Sequence, residues 1–124
     1  MKALRIVAGY QTALGETVRS IHRILRPGGK FFVSVPDLDI LCRLFVNEQL
    51  TKDERFYVMR MMFGGQTDEH DFHCVGLNDD FLGHFLAHGG FQRIYRVAEL
   101  GIFDDTSSMR YKGALVSLNM VAIK

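Results

Sequence analysis

Residues 64 to 76 gather the side chains with the most varied chemistry: Asp68, His70, Asp71, His73 and Cys74 share one polar stretch, Gly-Gly-Gln-Thr-Asp-Glu-His-Asp-Phe-His-Cys-Val-Gly. His84 and His88 follow. Their i, i+4 spacing puts both imidazoles on one face of a helix. A His-x-x-His pair joined to a His-x-x-x-His pair has ligand types suited to zinc, which takes imidazole, thiolate and carboxylate. Such pairs also arise by chance, and a solvated loop residue at His70 with surface helix residues at His84 and His88 explains them, so no metal site is expected. Asp37 directly follows an apolar run and can cap a helix or point into a cleft at a strand end. Asp104 and Asp105 are adjacent in a turn-forming segment, where neighbouring side chains splay apart, so they are read as a solvated loop. Cys42 stands among apolar helix positions and reads as an inert core thiol.

Composition narrows the function classes. The chain has 124 residues, 15 Lys+Arg and 14 Asp+Glu, for a formal charge of +1. One domain is expected. A near-neutral chain has no electrostatic bias toward nucleic acid or an anionic membrane. The charge run Lys52-Asp53-Glu54-Arg55 alternates in sign and reads as a solvated helix start. Two cysteines without a Cys-x-x-Cys give neither a disulfide scaffold nor a redox motif. No apolar run is long enough to span a bilayer, and the N-terminal run is too short for a signal peptide. A cytoplasmic protein is expected.

The elements that must position these residues follow from apolar spacing. Leu4 to Ala8 can form a short strand. Leu14, Val18, Ile21 and Leu25 share a helical face, with Thr12 as a candidate cap and an end forced near Arg26 by Pro27-Gly28-Gly29. Phe31-Phe32-Val33-Ser34-Val35 is nearly all apolar and suits a strand buried on both faces. Asp37 opens a helix bearing Leu38, Leu41 and Phe45. Thr51 and Glu54 form a capping box for another, with Phe56, Met59 and Phe63 on its apolar face. Asn78 caps a fourth helix, in which Leu77 and Leu82 can staple the entry and Phe81, Leu82, Phe85 and Leu86 face inward. Strands are expected over Arg93 to Glu99 and Ala114 to Ile123, the latter alternating.

This order resembles the C-terminal half of class I S-adenosylmethionine-dependent methyltransferases, with the type 11-like group the nearest. Four motifs carry it. ALGETVRSIHRILRPGG, ending at Gly29, resembles the helix and Pro-Gly-Gly turn before the fifth strand. Lys30-Phe31-Phe32-Val33-Ser34-Val35-Pro36-Asp37 resembles that strand and its exit. His88-Gly89-Gly90-Phe91 resembles the turn into the sixth strand. Val116 to Lys124 resembles the closing seventh strand. The resemblance spans about residues 11–124.

It implies an α/β, incomplete Rossmann-like fold: a small three-stranded mixed sheet with flanking helices and the last strand inserted between the other two, antiparallel to both. It also implies that the 64–76 loop lies over the cleft where acceptor substrates bind. There His73 becomes a candidate general base, while Asp37, Gln66 and His70 line the cleft; on the residues alone, His73 reads as a loop-holding hydrogen-bond donor. The family's Gly-x-Gly-x-Gly turn, ribose-binding acid and donor-flanking pair are not in these 124 residues. The expectation is a methyltransferase-like protein that binds no S-adenosylmethionine alone and is inactive alone. The alternative is a non-catalytic interaction module. The strand at 30–35 is left with an open edge, an aggregation hazard. Cover comes from Leu4–Ala8, from a second copy in a homodimer, or from a separate chain carrying the cofactor half.

Overall fold

The 4-3-4 apolar spacing at the start of the chain is realised in α1 (Tyr10–Ile24). A computed structural model describes residues 10–64, 75–100 and 109–124. The rest of the order is β1 (Lys30–Pro36), α2 (Leu38–Phe45), α3 (Lys52–Phe63), α4 (Asp79–His88), β2 (Arg93–Val97), β3 (Arg110–Tyr111), β4 (Ala114–Leu115) and β5 (Ser117–Ile123). Leu4–Ala8, Cys74, Asp104 and Asp105 lie outside the described residues. Helix α1 begins at Tyr10, so Thr12 lies within it and is not its cap. Past its end, Gly28 adopts φ +80° and donates its N–H to the Lys124 carbonyl at 2.8 Å. Lys124 Nζ donates to the Leu25 carbonyl at 2.9 Å, a cation at the negative end of a helix.

The chain is α/β, with four helices and a three-stranded sheet in the order β1-β5-β2 among the described residues. The closing strand β5 lies between the other two and runs antiparallel to both: Val33 faces Met120 across one ladder and Arg96 faces it across the other. The sheet is therefore antiparallel at both pairings and not mixed. Strands β1 and β2 point the same way, but β5 separates them.

The two strand readings exchange places. In β1 inward and outward residues alternate: Phe31, Val33 and Val35 are half-buried, while Phe32 and Ser34 are exposed. The strand buried on both faces is β5, where Leu118 to Ala122 are all buried. Position in the sheet decides this, because only the central strand has a strand on each side. The expected 114–123 strand also breaks at Val116. Residues 114–115 pair with β3 through a turn at Lys112 (φ 51°) and Gly113 (φ 82°), both in the left-handed region that two-residue hairpins use.

Two apolar clusters form. In the larger, Val18 of α1 and Leu82 and Leu86 of α4 pack with Leu77, Phe91, Leu118, Met120 and Ala122, joined by Phe31, Val33, Val35 and Ile94. Helices α1 and α4 approach so closely at Gly89 that a Cβ there would lie 2.2 Å from Val18 Cγ1. The smaller cluster joins Leu41 and Leu44 of α2, Val58 of α3 and Val116, with Met61, Met62, Met109 and Tyr111 partly buried around it. Several expected inward residues point out. Phe56 and Phe63 on α3 and Phe81 on α4 are exposed, as is Cys42. In α3 the buried position is Val58, out of phase with Phe56 and Phe63.

Candidate functional site

At the carboxyl end of β1 the structure builds a polar junction. Strand β1 stops at Pro36, and Asp37 turns the chain into α2. The Asp37 backbone is extended (φ −86°, ψ 104°), and its Oδ1 accepts from the Asp39 N–H at 3.1 Å, capping α2. The Asp37 N–H donates to the Val116 carbonyl at 2.9 Å. Its Oδ2 accepts from Arg96 Nη2 at 2.7 Å. Asp37 is 1% exposed.

A second helix start meets the first. Asn78 caps α4 by accepting from the Phe81 N–H at 2.8 Å, and its Nδ2 donates to Asp39 Oδ1 at 3.2 Å. The Leu38 N–H donates to the Leu77 carbonyl at 2.9 Å, so Asp37 and Leu77 form a parallel bridge. Arg96 also lies 3.7 Å from Asp79 Oδ2 in the first turn of α4. Arg96 thus holds two carboxylates from the N-terminal ends of two helices, where negative charge is favoured. A Cβ at Gly76 would meet Leu38 Cδ2 at 2.8 Å, so the chain returning to this junction passes tightly over α2.

Asp37 is therefore where the sequence placed it, at the exit of β1, but its carboxylate is committed to a cap and an ion pair. Gln66, His70 and His73 lie outside the described residues. Arg96 escaped the sequence reading, although a signal existed. In β2, Ile94 pairs with Ala122 and Arg96 with Met120, so period-2 geometry puts Arg96 on the same sheet face as an apolar residue. A cation at the border of that face is favoured by an anionic partner. On the opposite face, Asn119 is fully buried in β5, and its Nδ2 donates to the Ala98 carbonyl at 2.9 Å.

Compared with protein-family models, curated proteins and solved structures, the chain has no significant match to any. Among the described residues, the Gly28-Gly29 pair is not placed as a cofactor-binding turn at a strand exit. Gly28 and Gly29 precede β1 instead of following it, and their N–H groups are bonded to the Lys124 and Arg26 carbonyls. Among the described residues no group of three or more His, Cys, Asp or Glu side chains could hold a metal ion, and no helix is long and apolar enough to cross a membrane.

Proposed function

We propose that the chain is the acceptor-side half of a methyltransferase-like α/β fold, without methyl-transfer activity unless cofactor-binding groups come from another polypeptide segment. The supporting observation is the strand order β1-β5-β2, with the closing strand antiparallel between its neighbours. That is the arrangement implied by the family resemblance that the four motifs carry. A simple meander of the same strands would leave β5 at an edge.

A calorimetric titration with S-adenosylmethionine tests this reading. The expected result is no binding tighter than about 100 μM, or about −5.5 kcal/mol. A tighter constant for these 124 residues overturns it. The side of β1 away from β5 has no strand paired to it among the described residues. Self-association as a twofold homodimer, through strand pairing at that edge or through packing of helices α1 and α2, is the expected state when no other half is present. Light scattering that shows a steady mass near 14.1 kDa removes the homodimer.

A second reading, a non-catalytic interaction module, is favoured by one observation. Both carboxylate oxygens of Asp37 are engaged, so the described candidate acid at this end of the sheet serves structure. An adjacent reading frame encoding a Gly-x-Gly-x-Gly half supports the enzyme reading, and its absence supports the module.

A further inference from the structure

Helix α4 presents two imidazoles side by side. His84 and His88 are exposed, and their ring centroids are 4.1 Å apart with an interplanar angle of 43°. The backbone beneath them is fixed, because Leu82 and Leu86 on the opposite side of the helix are buried in the larger core. We propose that His84 and His88 form a two-imidazole chelate for a divalent transition-metal ion, with Cu²⁺ the tightest.

Coordination geometry carries the argument. A nitrogen-bound ion lies about 2 Å from each ring nitrogen. Two rings meeting it at a right angle then have centroids roughly 4.5 Å apart, on the same Metal–N distance. The observed centroid separation of 4.1 Å is close to that value. Both ligands come from one rigid helix, so little conformational freedom is lost on binding. His88 lies in the last turn of α4, where the helix dipole favours a cation. Asp80, one turn before His84, adds negative charge on the same stripe of the helix. No third side chain among the described residues joins the pair, so water takes the remaining positions. Imidazole selects copper, nickel and zinc, with copper bound most tightly; magnesium and calcium require oxygen ligands. The chelate does not need His70 or His73, which the sequence pattern had grouped with it.

The test is calorimetric titration of the whole chain with copper, zinc and magnesium chlorides in a non-chelating buffer. Copper is expected to bind one per chain, zinc more weakly, and magnesium not at all. His84→Ala and His88→Ala should each weaken copper binding by at least about tenfold, or 1.4 kcal/mol. Alanine is the better helix former and both side chains are exposed, so the fold should survive; a thermal melt checks this. His70→Ala and His73→Ala should leave the affinity unchanged. In the unaltered protein, paramagnetic broadening by copper should centre on the His84 and His88 ring signals. Copper affinity that survives both helix substitutions, or that follows His70 or His73, overturns the chelate, as does broadening centred elsewhere.

Discussion

The two faces of the sheet have the same strands and different fates. On one, Phe31, Val33, Val35, Ile94, Leu118, Met120 and Ala122 join a cluster closed by α1 and α4. On the other, Val121 is buried, yet its cross-strand neighbours Phe32 and Tyr95 remain 40% and 44% exposed. Among the described residues Val121 belongs to neither apolar cluster. The difference shows that a strand's apolar content does not set its burial. What packs on each side does, and in β1 one residue of register separates core from surface.

The largest test of that contrast replaces adjacent residues of β1. Val33→Asp puts a carboxylate against the α1–α4 core and should cost about 3–5 kcal/mol, most of the stability of a domain at the low end of the usual range of about 5–15 kcal/mol. Phe32→Asp places the same group on the more open face and should cost no more than about 1 kcal/mol in the monomer. Urea midpoints read both. Equal losses would show that the second face is closed as firmly as the first.

A smaller effect concerns the charge on the helix-covered side. Arg96→Met leaves the buried Asp37 carboxylate without its cation. The Arg96 side chain is 41% exposed, so solvent moderates the loss to about 1–3 kcal/mol. Asp37→Asn retains a competent cap and should be less harmful than Asp37→Ala. If the pair acts as a unit, Asp37→Asn combined with Arg96→Met should lose less than the sum of the two single changes. Strict additivity in a double-mutant cycle would show that Arg96 and Asp37 stabilise separately.

The smallest expected effect lies away from both faces. Thr51 Oγ1 accepts from the Glu54 N–H at 3.2 Å, and Glu54 Oε1 accepts from the Thr51 N–H at 2.9 Å. Thr51→Ala should therefore cost about 1 kcal/mol by loss of the cap. Because α3 packs on α2 and the smaller cluster, this loss should add to that of Val33→Ala without coupling. A coupling energy above about 0.5 kcal/mol would mean that the two clusters respond as one.

Local chemistry was legible from the sequence. Thr51-x-x-Glu54, Asp37 and Asn78 each cap the helix they were expected to cap, because a cap needs only a few neighbouring residues. The α1 face of Leu14, Val18, Ile21 and Leu25 likewise meets the core as its spacing requires. The β5 position between β1 and β2 came from likeness to a known arrangement, since nothing in the residues alone orders three strands.

Tertiary structure decided what depends on partners distant in sequence. Phe56, Phe63 and Phe81 have the composition of core residues and lie outside, because the helix rotation that buries Val58, Leu82 and Leu86 turns them away. Asp37 looked available for chemistry until Arg96, 59 positions later, engaged it. Periodicity reports that a helix or strand has an apolar side. It does not report how many elements converge on that side, and it is this convergence that buries β5 on both faces, leaves β1 half-covered and turns a carboxylate at a strand end into part of the frame.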